Sequence, residues 1–538
     1  MKKAITTIFA VLLTINTFAM DVWDGTASPW TNGSGTSNDP YLIETAENLA
    51  YLAEKVNEGY QAQGMAVFAG QFFLLTDDLD LNNINWTPIG NVNMNMQGYY
   101  FAGIFDGWYH NIDHLKIQSN ADVCGLFAGL GGDSGGSQYT WGEIRYLSVT
   151  NGNITSTGTG VGGIVGGMAN EAFVYQCSFS GTISVSNGGS YCGAGGIVAA
   201  AAQNSKIYEC SFHGSITATN NGGFTGAAGA GGIVGIAMDD TSILSCYNTG
   251  NITASSFMLN VAAGIVGATL QENSVTVKNC YNVGTVNAST KGGIFGMISP
   301  INPTKNETDI EVFNCYYLNT CGGTTNYGTS KTSAEMQTED FLFLLTGGFR
   351  TFIMDNGTNN GYPIHSLANI KLMDATDITY HSAKISADIH EGNDDFVRAV
   401  FVYNEWNENG NGDEIEIEVE IADHVEVILE DLNPETFYLY YMYCEFADGT
   451  VMESQHYSFS TTFDGISDIP TNEIQIYPNP TSDFIYIENT EPQSIFIYSL
   501  DGKLIKTIEN ANVVDVRDLE NGMYLINING KTKRIVID

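Results

Sequence analysis

A cysteine that recurs roughly every 35 residues is the most prominent of the side chains that could do chemistry in this sequence. It holds one position of a repeated segment and is followed by Ser or Tyr, at Cys177, Cys210, Cys246, Cys280 and Cys315. Thiols in such a series could form disulfides, bind a metal as thiolates or fill a core. If the repeats stack, the cysteines stand side by side, which is poor disulfide geometry, and no CxxC pair supports zinc. We therefore favour a buried ladder of reduced thiols.

An acidic cluster lies upstream of the cysteines, at Asp77, Asp78 and Asp80. Grouped carboxylates could bind a cation or act as general acid and base. The sequence fixes no partner for them, so we favour a turn and a strand end with solvated aspartates.

Two histidines, His110 and His114, have the spacing that on a helix would place both imidazoles on one side, where they could bind zinc. The metalloprotease motif also needs Glu directly after the first histidine, and Asn111 stands there. In a strand the two side chains would lie ~13 Å apart, too far to share a metal. We interpret both histidines as structural.

A calcium loop is the last chemical candidate. Asn407, Asn409, Asn411 and Gly412, with Glu418, match EF-hand spacing but lack the first Asp. The flanking segments alternate like strands, whereas an EF-hand needs helices, so a hairpin loop is the simpler interpretation. We assign no catalytic, cofactor-binding or metal-ligating residue, and calcium remains a minor alternative.

The elements that must position these residues are β-strands. Gly-Gly-Ile-Val-Gly or a close variant precedes each repeated cysteine, at Gly162–Gly166, Gly195–Ala199, Gly231–Gly235, Ala263–Gly267 and Gly292–Gly296. Short β-branched and apolar runs alternate with Gly and Asn, without helical periodicity. One such repeat would leave its apolar face exposed, so the period indicates stacking. We predict an all-β protein: a right-handed parallel β-helix (β-solenoid) with two or three strands per repeat, then two small β-sandwich domains.

Changes of composition and periodicity divide the chain into segments. They are a signal peptide at 1–19, an N-terminal cap and first solenoid strands at 20–117, repeats at 118–330, a C-terminal cap at 331–368, a sandwich at 369–463, a linker at 464–472 and a last domain at 473–538. In the caps we expect a helix that has Thr45 as its N-cap and ends at Gly59, and one short helix that has Ser333 as its N-cap and ends near Gly347.

Charge and targeting restrict the partners. The net charge of −40 disfavours nucleic acid and anionic membranes. Lys2 and Lys3, an apolar run and Thr17-Phe-Ala19 form the pattern of a secretory signal peptide. No later apolar run reaches the ~18 residues of a spanning helix. We therefore predict an exported protein without a transmembrane helix.

Residues 39–365 resemble the GLUG-motif family, whose members carry repeated Gly-Leu/Ile-Val/Phe-Gly strands. Besides the repeats, the resemblance rests on Leu79-Asp80-Leu81, Trp86 to Gly90, Phe105-Asp106-Gly107 and Gly125-Leu-Phe-Ala. It implies the solenoid fold. It implies no activity, because family members, which include the non-catalytic part of some immunoglobulin A peptidases, do different things.

Residues 369–463 are acidic and alternate as half-buried strands. Leu432-x-Pro434-x-Thr436-x-Tyr438 is similar to the tyrosine corner of a fibronectin type III sandwich, in which the hydroxyl caps a nearby backbone group. We therefore expect such a sandwich here.

The last segment resembles the C-terminal sorting domain (type A) of type IX secretion. The resemblance rests on three motifs in order, with the residues Tyr477, Pro478, Asn479, Pro480, Asp501, Gly502, Gly522 and Tyr524. It implies export by the type IX machinery of a Bacteroidota-type bacterium, to the outer surface or the medium, commonly with removal of the sorting domain.

These features together favour a secreted or surface-attached binding protein, adhesin-like, with an unknown glycan or protein ligand. The alternative is a parallel β-helix enzyme that degrades polysaccharides, a lyase or a glycoside hydrolase. A structural component of the cell surface is not separated from the first interpretation by sequence.

Overall fold

We describe the protein from a computed structural model. It describes residues 22–537 except 61, 63–64, 133–140, 224–225, 270–273, 299–309, 325–326, 348–349, 356, 391, 393–395, 408–409, 455, 463–474, 478–480, 489–493, 500–502, 510, 520 and 529–530. The predicted signal peptide and linker lie outside the described residues. The chain forms two compact units, one ending at Ala368 and including 391–394, the other containing the rest.

The first unit is a parallel β-solenoid, as predicted. Its described strands form four sheets, in which each strand pairs in parallel with the strand one turn away. Sheet I contains Tyr41–Ile43, Phe72–Leu75, Ile104–Asp106, Glu143–Arg145, Phe173–Tyr175, Lys206–Tyr208, Thr241–Leu244, Val275–Lys278 and Ile310–Phe313. Sheet II contains Ala66–Val67, Tyr100–Phe101, Phe127–Gly131, Val165–Ala169, Val198–Ala201, Val234–Ala237, Val266–Thr269 and Phe295–Ile298.

The other two sheets complete each turn. Sheet III contains Leu79–Asp80, Asn111–Asp113, Lys116–Ser119, Ser148–Ser156, Ser178–Asn187, Ser211–Asn220, Tyr247–Asn248, Asn251–Ser256, Tyr281–Asn282, Val286–Asn287, Tyr316–Leu318 and Thr329–Lys331. Sheet IV contains Val123–Cys124, Gly160–Gly162, Tyr191–Gly195, Ala227–Gly231, Leu259–Ala263 and Thr290–Gly292.

A full turn in the described chain therefore carries four strands, and the predicted two or three per repeat was wrong. The turn from Val165 runs through Phe173–Tyr175, Ser178–Asn187 and Tyr191–Gly195. The last of these is made of Gly, Ala, Cys and Tyr, without the β-branched alternation by which strands are recognised. Stacking on neighbouring turns, rather than intrinsic propensity, makes it a strand.

The Gly-Gly-Ile-Val-Gly segment forms the tight turn from sheet IV into sheet II. A Cβ atom added to Gly195 would lie 1.8 Å from the carbonyl oxygen of Val198, and one added to Gly162 would lie 1.9 Å from that of Val165. A side chain at this position would collide with backbone, so the repeat keeps glycine there.

Helices lie at both ends of the solenoid. The first helix, Ala46–Glu58, begins after Thr45, whose hydroxyl accepts from the N–H of Asn48, and ends at Gly59 with φ 70°. The cap that was predicted as one helix is two, Ser333–Met336 and Glu339–Thr346, and Thr332, not Ser333, is the N-cap. Thr338 is the N-cap of the second of these helices, because its hydroxyl accepts from the N–H of Phe341.

An antiparallel pair, Phe352–Ile353 with Ile364–His365, follows these helices. None of the helices within the described residues combines the length and apolar character required to cross a membrane.

The second unit begins with two antiparallel sheets. One contains Asn369–Leu372, Ala383–His390 and His424–Leu429; the other contains Phe396–Asn407, Gly410–Asn411, Ile415–Val419, Phe437–Phe446, Val451–Glu453 and Tyr457–Ser460. Tyr438 makes the corner contact anticipated from sequence, since its hydroxyl oxygen accepts from the N–H of Asn433 at 2.9 Å.

Two further antiparallel sheets complete the unit and share one core. They contain Gln475–Tyr477, Phe484–Glu488 and Val513–Asp515, and Ser494–Ser499, Leu504–Glu509, Gly522–Ile528 and Lys531–Ile537. Isoleucines and valines from both sheets are buried against each other, for example Ile485, Ile497 and Ile526. This arrangement is a small β-sandwich.

Candidate functional site

The corner between sheets I and III carries one residue per turn in the left-handed backbone region. These residues, the corner column, have φ between 45° and 64° and are Tyr109, Tyr146, Gln176, Glu209, Ser245, Asn279 and Asn314. Asn tolerates this conformation, whereas larger side chains without that preference adopt it at a cost. The last two turns use Asn, but four earlier turns use Tyr, Gln or Glu, so those side chains are retained despite the backbone.

The residue after the cysteine, or after Leu147 in the turn before Cys177, forms an outer column. It is defined by Ser148, Ser178, Ser211, Tyr247, Tyr281 and Tyr316. The rings of Tyr247 and Tyr281 stack at 5.0 Å between centroids. The C-terminal cap covers the tyrosine half, where Tyr247, Tyr281 and Tyr316 share a buried cluster with Phe341 and Phe352.

Residues 357–368, which we call the strap, continue from this cap along the outer column. The Tyr281 hydroxyl donates to the carbonyl of Pro363 and accepts from Asn359 Nδ2 at 3.0 Å. These contacts fix the strap over the tyrosines.

A cleft of about 370 Å³ opens where serines replace the tyrosines. Its floor is the serine half of the outer column, one wall is the corner column and the other is the strap. It is lined by Tyr109, Tyr146, Leu147, Ser148, Gln176, Ser178, Glu209, Ser211, His213, Tyr247, Thr358, Ile364, His365 and Leu367.

Glu209 provides the one carboxyl group among the described lining residues. Its Oε2 accepts from Gln176 Nε2 at 2.6 Å, and Gln176 Oε1 accepts from the Tyr109 hydroxyl at 2.9 Å. Burial raises the pKa of Glu209 to about 7, an effect that the hydrogen bond from Gln176 partly offsets. The carboxyl group can therefore hold or release a proton near neutral pH.

Two imidazoles face the same cleft. His213 contacts Ser211 Oγ at 3.1 Å and Thr249 Oγ1 at 2.9 Å, and burial lowers its pKa to about 4. His365 on the strap contacts the carbonyl of Ser245 at 2.7 Å, and burial lowers its pKa to about 3. Both rings are neutral at neutral pH, where they offer hydrogen bonds but no positive charge.

The guanidinium nearest to the cleft is already engaged. Arg145 lies over the Tyr146 ring at 5.6 Å and pairs with Asp106 at 2.9 Å and Glu143 at 3.3 Å. No lysine or arginine belongs to the described lining of the cleft. The site thus combines hydroxyls, an amide, imidazoles, tyrosine rings and one carboxyl group with the apolar side chains of Leu147, Ile364 and Leu367.

The aspartates and histidines singled out from sequence form pairs instead of a metal site. His110 Nδ1 lies 3.1 Å from Asp78 Oδ1, and His114 Nδ1 lies 2.9 Å from Asp80 Oδ1. The structure brings each Asp next to a His one turn later, which a local motif does not reveal. Within the described residues, no group of three or more His, Cys, Asp or Glu is arranged to hold a metal.

All five repeat cysteines are buried free thiols. The Sγ atoms follow the stack: the N–H of Cys210 donates to Cys246 Sγ at 3.4 Å and the N–H of Cys246 to Cys280 Sγ at 3.3 Å. Each thiol is also near a carbonyl two residues back, as for Cys246 and Leu244 at 3.3 Å. The column acts in packing, and no cysteine belongs to the described lining of the cleft.

The calcium-like segment belongs to a hairpin. Trp406 pairs with Asn411 and Asn407 with Gly410, while Glu418 accepts from Arg398 Nε at 2.8 Å. Asn409 lies outside the described residues.

Three sorting-motif residues can be placed. Tyr477 is exposed and its ring lies 5.9 Å from that of Tyr486. Gly522 begins a core strand and Tyr524 packs against the core. The remaining motif residues, Pro478, Asn479, Pro480, Asp501 and Gly502, lie outside the described residues.

Sequence reasoning missed Glu209, His213 and His365. The available signal was in the repeat: Gln or Glu precedes the cysteine in the two repeats where Ser follows it, whereas Ser or Asn precedes it in the three repeats where Tyr follows it. His365 had no signal, because it comes from a distant segment.

Comparison with known families identifies the last domain. Residues 475–538 match the family described as the secretion system C-terminal sorting domain. This confirms the predicted type IX sorting domain. It implies interaction with that secretion machinery, secretion and cell-surface location.

Other comparisons give partial similarity. A "Putative Gly-rich membrane protein" of Evansella cellulosilytica is 30% identical over 154 residues, which is 28% of this chain and 15% of that protein. The chain thus spans a small part of that relative.

Two solved structures align over parts of the chain. The sensor domain of the anti-sigma factor RsgI4 of Pseudobacteroides cellulosolvens has 21% identity and a TM-score of 0.14, covering 18% of this chain and 95% of that one. A two-domain fibronectin type III segment of chicken tenascin has 16% identity and a TM-score of 0.16, covering 31% and 96%. The fibronectin type III and GLUG resemblances stay predictions.

Proposed function

We propose that the protein is an adhesin-like binding protein of the cell surface, which holds an extracellular glycan or protein ligand in the cleft. The observation that carries the proposal is the set of polar corner residues, Gln176 and Glu209, which line the cleft from a left-handed backbone position where the last two turns use Asn. Functional sites are where such conformational cost is retained. Aromatic rings beside convergent polar groups are also typical of ligand sites.

A polysaccharide-degrading enzyme is the second candidate. Glu209 and His213 have shifted pKa values in one cleft, as acid–base catalysts do. Glycoside hydrolysis commonly uses two carboxyl groups, and the described lining supplies one. This favours a lyase over a hydrolase within this candidate, with Glu209 or His213 as base.

The test is a screen of the mature protein against glycans and extracellular matrix proteins, with the same panel assayed for reducing ends and unsaturated products. We expect binding without product. Release of product by the wild type would replace the binding proposal with the enzyme, and absence of any binding would contradict both.

A variant that fills the cleft with a larger side chain tests whether the ligand binds there. Ser178→Tyr places in the serine half the residue that the outer column already accepts at Tyr247, so the fold should tolerate it. We expect this variant to lose ligand. The control, Thr182→Tyr, adds the same ring at an exposed position of the same strand and should bind like the wild type.

Truncation tests the proposed export route. We propose that residues 1–19 direct the chain across the inner membrane and that 473–538 direct it across the outer one, with cleavage in the 464–472 linker. Deleting 473–538 should leave folded protein in the periplasm, whereas deleting 369–463 should preserve export. A surface-exposed product of the first deletion would contradict the assignment.

The division into 20–117, 118–330, 331–368 and 369–463 belongs to the same proposal. Limited proteolysis of the mature protein should cut first within 464–472 and leave 20–368 intact.

A further inference from the structure

The cleft contains a carboxyl group without a cationic partner. Among the described residues Glu209 has hydrogen bonds from Gln176 and from Tyr175, and it takes part in no ion pair. The protein atoms around this carboxyl group remove most of its hydration. Ionising it there is unfavourable unless positive charge approaches.

The tyrosines that line the same cleft as Glu209 suit a cation. The rings of Tyr109 and Tyr146 lie 4.8 Å apart between centroids, and Arg145 already uses the Tyr146 ring in this way. Tyrosine faces attract ammonium and guanidinium groups. The chain as a whole, at −40, raises the local concentration of cations.

The floor suits a polyhydroxylated ring rather than an alkyl chain. Ser148 and Ser178 hydroxyls lie 2.9 Å apart, and Ser211 meets His213 at 3.1 Å. These groups donate and accept hydrogen bonds along the floor of the cleft. A lysine stem would offer these hydroxyls no further hydrogen bond, while sugar hydroxyls would add hydrogen bonds to the existing ones.

We propose that the cleft recognises an amino sugar, its protonated amine paired with the Glu209 carboxylate and its hydroxyls bonded to the serine floor. This inference rests on the proposed binding function and names the ligand class for the same cleft. An anionic sugar is disfavoured, because no lysine or arginine belongs to the described lining.

Binding should release protons near neutral pH. The free carboxyl group is partly protonated there, and an adjacent ammonium favours its ionised form. The groups that face it are the Tyr109 and Tyr175 hydroxyls, the Cys210 thiol and the Gln176 amide, with neutral His213 and His365 in the same cleft. None of these supplies a positive charge near pH 7.

The experiment is calorimetric titration of the full mature chain with three matched oligosaccharides: glucosamine oligomers, their N-acetylated forms and glucose oligomers. Acetylation removes the charge and keeps the ring. We expect the glucosamine oligomers to bind about tenfold tighter or more, the size of a charge-assisted hydrogen bond. The buffer dependence of the binding heat should report proton release.

Glu209→Gln is the decisive variant. Gln already occupies the same corner one turn earlier, at Gln176, so the backbone accepts it. The variant should lose the preference for glucosamine and the proton release while keeping its circular dichroism spectrum. The control, Glu171→Gln, changes an exposed acidic residue that also has positive φ and should retain both.

Other results would overturn the inference. Equal affinity for N-acetylated or glucose oligomers would remove the charge recognition but leave a glycan-binding protein. Glu209-dependent binding of Lys- or Arg-rich peptides without binding of glucosamine would assign the cleft to a protein partner. If none of these probes binds while the wider screen finds a ligand, the amino-sugar inference fails and the binding function stands.

Discussion

Two columns of the solenoid, one residue apart in sequence, have opposite behaviour. The cysteine column points inward and is the same residue in five turns, because each thiol contacts the next across a fixed rung spacing. The outer column changes from Ser to Tyr after Ser211. Its tyrosines pack against the C-terminal cap, and its serines form the floor of the cleft. The residue type of the inner column is therefore the same in each turn because the thiols stack on one another. The residue type of the outer column differs between the turns that contact the cap and the turns that line the cleft.

The largest effect is expected at the tyrosine half of the outer column. Tyr281→Ala removes a fully buried ring together with its hydrogen bonds to Asn359 Nδ2 and the Pro363 carbonyl, which keep their own contact at 3.2 Å. We expect a loss of about 3–5 kcal/mol in the free energy of unfolding of the solenoid. Chemical denaturation of the mature protein measures it. Ser211→Ala in the same column is the comparison: it removes a buried hydroxyl bonded to His213, and we expect a smaller loss of about 1–2 kcal/mol; equal losses would abolish the distinction between the two halves.

The inner column should show a smaller but uniform cost. Cys246→Ser replaces a sulfur that accepts from the N–H of Cys210 at 3.4 Å by a smaller, more polar atom. We expect a loss of ~1–3 kcal/mol, with Cys246→Ala as the control for volume alone. Thiol counting under denaturing, non-reducing conditions should find all five repeat cysteines reduced. Two linked pairs among them would refute the ladder.

Acid should weaken the strap first. The folded state keeps His365 neutral, with its pKa lowered to about 3, whereas the unfolded chain binds a proton near 6.5. The unfolded state therefore gains protons first, and stability falls as pH drops from about 6.5 toward about 3. Hydrogen exchange of residues 357–368 should accelerate over this range. His365→Phe, which suits the neighbouring Tyr247 and Phe352 rings, should flatten that response.

The corner column should give the smallest effect, of opposite sign. Burial raises the pKa of Glu209 from its ordinary 4.5 to about 7, so the folded state binds more protons than the unfolded one between these values. Its contribution to stability is present below about pH 4.5, is lost as pH rises toward about 7, and changes no further above that. Glu209→Gln should remove this slope in thermal scans. An unchanged slope would show that the carboxyl group is solvated.

The periodicity in sequence was sufficient for the solenoid because stacking needs only that each turn offer the same inward groups, such as Cys210 and Ile207. Local signals also predicted the first helix, where Thr45 and Gly59 supply both ends. They were insufficient for the second cap, where Thr332 and Thr338 start two helices, and for the glycine-rich strands of sheet IV, which form only against neighbouring turns.

The sequence by itself determined the all-β class, the parallel stack, the inward cysteines and the sorting domain, since each depends on residues close in the chain or on a regular repeat. Tertiary structure alone decided which side chains meet across turns. Asp78 and His110 pair because one turn of the solenoid places them on adjacent rungs. The cleft exists because the strap returns along the outer column and brings His365 opposite Glu209. That return depends on buried contacts of Tyr281 with Asn359 and Pro363, which no local pattern specifies.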